Sequence, residues 1–333
     1  MMEKNKRLIS IVAPFFNEEL CANRYFERMF TVINALHLHT FELVCIDDGS
    51  SDATLSVLLG HAALDKRIKV VELSRNFGKE AALTAGLDAS IGDAVIPIDS
   101  DLQDPPELIS RMIAEWQSGA EVVLARRADR SADSLLKRTT AKLFYRIHNF
   151  SSTVPIPSNV GDFRLMDRKV VDALSSLPER QRFMKGLFAW VGFRTVTIDY
   201  VREARVAGQT KFSPWKLWNF ALEGITSFST APLKIWMYLG GVGALMSMAY
   251  ALYIFIRTLI LGVELPGYAS LFVSSLFFGS VQLIGIGMLG EYIGRIYLES
   301  KQRPLYVIRQ VYKGDDNSLL PSADSLSANQ LVP

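Results

Sequence analysis

Only two cysteines, Cys21 and Cys45, occur among 333 residues. They have neither the spacing of a metal site nor the density of a disulfide framework, which suits a reducing compartment. An excess of charge is also lacking: 36 Lys and Arg against 34 Asp and Glu leave +2, too little to argue for a nucleic-acid partner. No Gly-x-Gly-x-x-Gly turn follows the first apolar run. Pro14-Phe15-Phe16-Asn17-Glu18-Glu19 stands there instead, which disfavours a dinucleotide-binding oxidoreductase. The opening stretch Met1 to Arg7 leads into only a short apolar strand before Pro14 and Asn17, so no secretory signal is expected.

What the chain has in plenty is apolar residues, 49% of the total, with a mean hydropathy of +0.18. That is high for a soluble protein. One run begins at Ile235 and stays uncharged until Arg257, and a second extends from Leu271 to Glu291. A hydrocarbon core of about 30 Å needs ~20 such residues per helix. Two transmembrane helices are therefore expected within 235–298, joined by a short external loop at 262–270. That loop has no Lys or Arg, whereas Lys234 precedes the first run and Arg295, Lys301 and Arg303 follow the second. The asymmetry predicts both termini on the cytoplasmic side. Gly285, Gly287, Gly290 and Gly294 in the second run allow close helix approach, either to the first span or to another subunit.

Ahead of the spans, short apolar runs alternate with amphipathic stretches. Leu8 to Ala13, Phe41 to Ile46, Ile68 to Leu73, Ala94 to Ile98 and Glu121 to Ala125 read as strands. Tyr25, Met29, Ile33 and Leu36 recur at helical spacing, as do Leu108, Met112, Ile113 and Trp116. The pattern predicts an α/β domain with a mostly parallel sheet. Pro97 removes a ladder donor from the fourth strand and predicts an edge, a bulge or an early end.

Open α/β sheets bind ligands beyond the carboxyl ends of their strands, and polar clusters fall at those ends here. They are Pro14 to Glu19, Asp47-Asp48-Gly49-Ser50-Ser51-Asp52, Ser74-Arg75-Asn76-Phe77-Gly78-Lys79-Glu80, and Asp99-Ser100-Asp101-Leu102-Gln103-Asp104. Any one of them is explained by helix capping, which Ser51 or Asp52 is expected to do. Four in succession point to one bound ligand. Asp99 and Asp101, two residues apart in a turn, can share a hard cation that keeps positions open for phosphate oxygens.

From Ser134 to about Pro232 the character changes. Leu135, Leu136, Leu143, Phe144 and Ile147 interleave with Lys137, Arg138, Lys142 and Arg146, and a second basic stretch runs from Arg180 to Trp190. Either is a solvated charged face or a helix at lipid-headgroup level, the reading that Trp215, Trp218 and Trp236 favour. The domain plan is thus 1–212 catalytic, 213–234 juxtamembrane, 235–298 spanning and 299–333 a cytoplasmic tail, disordered after about 313.

At Arg75-Asn76-Phe77-Gly78-Lys79-Glu80, Gly161-Asp162-Phe163-Arg164-Leu165-Met166 and Gly285 to Tyr297, the chain resembles membrane-bound family 2 glycosyltransferases acting on polyprenyl phosphates. That group includes dolichol-phosphate mannose synthase and, nearer to this sequence, the bactoprenol (undecaprenyl-phosphate) glucosyltransferases of O-antigen modification. The resemblance covers roughly Leu8 to Val311 and implies a GT-A fold, a nucleotide-sugar donor, Mg²⁺ or Mn²⁺, and inversion at the anomeric carbon. It implies a place for Pro14, Asn17, Glu18 and Asp48 around the nucleoside, with Ser100 also on the donor. Asp99, Asp101 and Gln103 would hold the metal. Lys79 or Arg75 would add positive charge there, unless each is a salt-bridge partner.

Asp162 matches the family's catalytic carboxylate. A phosphate acceptor, with a second pKa of about 6, arrives already ionised, so Asp162 is expected chiefly to orient groups or stabilise positive charge rather than to remove a proton. Its plain structural alternative is a turn residue salt-bridged to Arg164. The stretch Arg205 to Ser213 resembles the family's mobile acceptor loop, and Arg126, Arg138, Arg205 and Lys211 are expected to hold the acceptor phosphate. Attachment to anionic lipids is the alternative for them.

The implied function is transfer of a hexose, glucose from UDP-glucose, onto undecaprenyl phosphate at the inner face of a bacterial cytoplasmic membrane. A homotetramer, and a flippase and periplasmic glycosyltransferase downstream, complete the implied partners. GlcNAc, GalNAc or mannose are alternative sugars. A processive polysaccharide synthase is disfavoured because no Gln-x-x-Arg-Trp motif occurs and two spans make a poor channel. Asp99, Asp101 and Asp162 speak against a non-catalytic scaffold.

Overall fold

A computed structural model describes residues 6–128, 160–180, 182, 184–200, 231–262 and 267–314. The chain divides into two units, one of Met1–Leu143, Ile156–Ser213 and Pro304–Pro333, the other of Phe144–Pro155 and Pro214–Arg303.

In the first unit, strands and helices alternate: β1 (Leu8–Phe15), α1 (Glu19–Ala35), β2 (Thr40–Asp47), α2 (Thr54–Leu64), β3 (Ile68–Leu73), α3 (Lys79–Ala89), β4 (Ala94–Pro97) and α4 (Ile109–Gln117). β5 (Val122–Arg127), β6 (Val160–Asp167), α5 (Arg168–Ser175), α6 (Met184–Trp190), β7 (Thr195–Tyr200) and a C-terminal β8 (Ile308–Lys313) complete it. The strands form one sheet of order β7-β5-β6-β4-β1-β2-β3-β8. β1 pairs in parallel with β2 and β4, β2 with β3, and β5 with β7. β6 runs antiparallel to both β4 and β5, and β8 antiparallel to β3. This is the mostly parallel, helix-covered sheet expected of a GT-A domain.

The apolar periodicities become the core. Tyr25, Met29 and Ile33 of α1 and Met112, Ile113 and Trp116 of α4 are buried with Ile9, Ile11 and Phe15 of β1. Tyr25 meets Phe15 edge-on at 5.3 Å between ring centres, a favourable aromatic geometry. The awkward Pro97 ends its strand early. β4 is central, yet its ladder to β6 covers only Ala94 and Val95, because a proline offers no N–H to extend it.

β6, β7 and β8 are absent from the strands expected on sequence. β8 lies within the segment read as a tail, where Arg309 Nη1 donates to Glu72 Oε1 at 2.8 Å and Tyr312 Oη to Glu72 Oε2 at 2.9 Å. It covers the β3 edge that would otherwise expose a row of unpaired backbone groups.

The second unit contains α7 (Ala231–Leu261) and α8 (Tyr268–Ser300). Within them Trp236–Leu261 and Ser274–Ser300 are long and apolar enough to cross a membrane. Of the five glycines in α8, Gly285 makes the close approach: a Cβ there would stand 1.9 Å from Trp236 Nε1, whereas nothing lies within 4 Å at Gly279, Gly287, Gly290 or Gly294. The expected juxtamembrane helix, the basic stretch from Ser134, most of the 262–270 loop and the chain after 314 lie outside the described residues.

Candidate active site

The predicted polar clusters gather at one edge of the sheet because parallel strands all end there. β1 and β2 are tied first. Asn17, at φ 53°, accepts from Ser51 N at 2.8 Å and donates its own N–H to Ser50 Oγ at 3.1 Å, while Glu18 N donates to Thr54 Oγ1 at 2.9 Å. Asp52 Oδ1 accepts from Thr54 N at 3.0 Å in the turn before α2, but the N-cap position itself is Ala53, without a side-chain capping bond, rather than the expected Ser51 or Asp52. The Glu18 carboxylate makes no hydrogen bond among the described residues. Pro14, half-buried, ends up beside Ile46 of β2.

The Asp48 side chain, expected at the nucleoside, is turned to a structural task. It accepts from Phe77 N at 2.7 Å and Gly78 N at 3.0 Å. The adjacent Gly49 has φ +67°, and a Cβ there would lie 2.5 Å from the Arg75 carbonyl carbon. Only glycine permits that approach. The β2–α2 loop thus clamps the β3–α3 loop and sets the position of Lys79, the first residue of α3. Arg75 itself stacks on Phe77, 4.0 Å from the ring centre. Asp47, one residue earlier, is buried with Oδ1 unpartnered among the described residues. Burial raises its pKa, and its neighbour Asp48 is raised for the same reason.

Asp99, Ser100, Asp101 and Gln103 follow β4. Asp101 is buried, and its Oδ1 accepts from Gln103 N at 3.2 Å. Between them Leu102 has φ +56° with its side chain in the core. A leucine held in the left-handed region marks a loop whose shape is imposed by its surroundings. Asp104 anchors the loop's far end by accepting a hydrogen bond from Tyr200 Oη, and Arg127 Nε donates to the same Tyr200 oxygen at 3.3 Å. Burial and the Asp104 charge push Tyr200 up to about 12.

Asp162 lies in a strand rather than a turn, near the start of β6. Because β6 runs antiparallel to β4, pairing Ala94 with Asp167 and Val95 with Met166, the extended register sets Asp162 level with Asp99. Lys79 joins them. Its Nζ lies 2.7 Å from Asp99 Oδ1, 2.9 Å from Asp99 Oδ2 and 2.9 Å from Asp162 Oδ2. Desolvation works against the Lys79 charge, but Asp162 and Asp99 outweigh it and hold the ammonium well above its ordinary pKa. Desolvation likewise opposes ionisation of Asp162, and Lys79 and Lys185 overcome it, keeping that carboxyl well below the usual range.

Arg164, the partner of Asp162 in the alternative structural reading, binds the backbone instead. Its Nη2 donates to Gly161 O at 2.7 Å and its Nε to Asp162 O at 3.4 Å. Its burial brings its pKa down to about 10. Glu80, next to Lys79, is pushed up to about 8 by desolvation and by the Asp162 charge.

Among the acceptor candidates, Arg126 pairs with Asp199 on an exposed surface, at 2.7 and 2.9 Å. Strand alternation explains the difference from expectation: successive side chains point to opposite faces. The next residue, Arg127, therefore faces the Asp104 loop and lies near Gly161, and it feels the charges of Asp104 and Asp99. Arg138, Arg205 and Lys211 lie outside the described residues. Sequence reasoning passed over Arg127, Asp104, Tyr200 and Glu80 as site residues. For Arg127 the period of two in β5 was the available signal.

Among the described residues, no three His, Cys, Asp or Glu converge as a ready-made metal cage. A cation of the Mg²⁺ or Mn²⁺ type does not need one, since one or two carboxylates suffice when phosphate oxygens and water supply the rest. Both Asp99 oxygens already hold an ammonium cation. The carboxylate and carboxamide oxygens of Asp99, Asp101 and Gln103 are of the type such an ion takes.

Residues 10–175 match the family model "Glycosyl transferase family 2". The chain is 54% identical over 307 residues to the SfII prophage-derived bactoprenol glucosyl transferase of Shigella flexneri, covering 92% of this chain and 99% of that one. It is 52% identical over 304 residues to an uncharacterized glycosyltransferase of Synechocystis sp., covering 91% and 95%. Among solved structures, glucosyl-3-phosphoglycerate synthase from Mycobacterium tuberculosis in complex with Mn²⁺, uridine diphosphate and phosphoglyceric acid is 22% identical, covers 65% of this chain and 75% of that one, and has a TM-score of 0.46.

Proposed function

The chain belongs to glycosyl transferase family 2 and is a glycosyltransferase; from that premise we propose that it transfers glucose from UDP-glucose to undecaprenyl phosphate, with inversion and with Mg²⁺ or Mn²⁺ as cofactor. The observation that carries this reading is the 54% identity to a bactoprenol glucosyl transferase along nine-tenths of the chain. The meeting of Asp99 and Asp162 on Lys79 supports it from the side of chemistry.

In this mechanism an oxygen of the acceptor phosphate bonds to the anomeric carbon from the face opposite the leaving diphosphate, whose bond to that carbon breaks. The acceptor is already ionised near neutral pH, so no proton has to be removed. Asp162, kept charged by Lys79 and Lys185, faces the reacting carbon and favours the positive charge that develops on it. Asp99, Asp101 and Gln103 would hold the cation, which neutralises charge on the departing diphosphate. Arg127 offers a planar donor fork suited to phosphate oxygens.

The reaction takes place at the cytoplasmic face, with α7 and α8 as the membrane anchor. Two features support this topology: basic residues flank the pair of apolar helices, and β8, which follows α8 in the chain, pairs with β3 of the sheet. Membranes containing the protein, incubated with labelled nucleotide sugars, undecaprenyl phosphate and Mg²⁺ or Mn²⁺, should yield lipid-extractable label from UDP-glucose. No such label from any donor would overturn the enzyme reading, and label from another donor alone would overturn glucose.

A further inference from the structure

Two carboxylates and one ammonium meet where β3, β4 and β6 present their site residues. Lys79 touches both oxygens of Asp99 and one of Asp162, all within 3 Å. Asp99 is also a carboxylate from which a divalent cation would be held. A unit positive charge at that distance from the ligand oxygens opposes a second cation, and the opposition grows with the charge of the newcomer. Asp99 on its own is then a poor ligand for a divalent ion.

A nucleoside diphosphate changes the balance. Its phosphate charges attract both cations at once, so the ammonium gains a second anionic partner and one carboxylate is no longer shared between competitors. The Lys79 side chain suits such an exchange. It is a point charge on a flexible four-carbon stem, it is about half exposed at 48%, and its backbone is fixed at the start of α3 by the Asp48 clamp. Asp162 keeps the ammonium throughout, so its orientation survives the exchange.

We propose that Lys79 is a built-in counter-cation for Asp99 and Asp162, and that it makes binding of a divalent cation conditional on a nucleoside diphosphate. The choice of ligands rests on the glycosyltransferase reading. The empty enzyme then holds no metal, and cation and diphosphate enter as a pair.

The test measures free Mn²⁺ by electron paramagnetic resonance with the full chain in detergent, with and without UDP. Wild type should bind Mn²⁺ at least ~10-fold more tightly with UDP than without. Lys79→Gln should gain at least ~10-fold in Mn²⁺ affinity without UDP, Lys79→Arg should not, and adding Asp99→Ala to Lys79→Gln should erase the gain. Equal Mn²⁺ affinity of wild type with and without UDP would overturn the proposal and needs no variant to fold. So would an unchanged affinity in Lys79→Gln, or a gain that persists without Asp99. If Lys79→Gln gains affinity while no donor labels lipid, the counter-cation stands and the functional reading falls. If wild type labels lipid normally and Lys79→Gln leaves Mn²⁺ affinity unchanged, the functional reading stands and the counter-cation falls.

Discussion

The Arg164 guanidinium lies 3.8 Å from the centre of the Phe188 ring, and from that stack it reaches the carbonyls of Gly161 and Asp162. A buried arginine is thereby used as a brace for the peptide that carries Asp162. Arg164→Lys keeps the charge but loses the fork. It should lower kcat by ~10- to 100-fold, as a displacement of about 1 Å does, with little change in KM for the donor. Single-turnover and steady-state rates check this.

Asp162 is held well below the usual carboxylate range and stays ionised through the neutral region. Its titration therefore contributes no acidic limb near neutral pH. Asp162→Asn should lower the rate at every pH and leave the shape of the rate-pH profile unchanged. A wild-type acidic limb that vanishes in the variant would assign proton removal to Asp162 instead.

Glu80 takes the opposite shift, from an ordinary 4.5 up to about 8. The native state then holds this proton more tightly than the unfolded chain, so stability present below pH 4.5 is lost as pH rises through 8. Glu80→Gln removes that dependence and can still accept from Met184 N. It should melt about 2–4 °C higher than wild type at roughly pH 8.5, with the curves converging only below pH 4.5.

Arg126 and Arg127 separate surface from site. Arg126 is half exposed and paired with Asp199, a kind of pair worth little. Arg126→Ala should change lipid labelling by less than about threefold. Arg127→Ala removes the fork beside Asp104 and Gly161 and should raise the acceptor KM by ~10-fold or more, measured with graded undecaprenyl phosphate.

Gly285 and Gly290 offer a matched pair in the second apolar helix. A side chain at Gly285 collides with Trp236, and one at Gly290 meets nothing within 4 Å in this chain. Gly285→Val should lower the melting temperature in detergent by several degrees, while Gly290→Val leaves the monomer within ~0.5 kcal/mol of wild type. A matching loss at Gly290 would point to contact with another subunit.

Strands β1 to β5 were legible as apolar runs closed by turn residues, and their ends located most of the site. The later strands were not. In β6 the Gly161-Asp162-Phe163-Arg164 stretch breaks the apolar run with two charges, and it reads as a turn until Asp162 is found paired with Lys79. β7, Thr195-Val196-Thr197-Ile198-Asp199-Tyr200, alternates polar and apolar residues but is only six residues long, and β8, Ile308 to Lys313, alternates weakly; both lie beyond segments that drew attention to the membrane.

The order of residues by itself determined the class of domain, the paired apolar helices, the acidic loop after β4 and the family resemblance, because each is written in local periodicity or in contiguous motifs. Only the tertiary structure decided which charges meet. Lys79, Asp99 and Asp162 converge because β6 runs antiparallel to β4 in a particular register and Asp48 grips the Lys79 loop. Such pairings join residues far apart in the chain through backbone hydrogen bonding, to which the pattern within any one segment is blind.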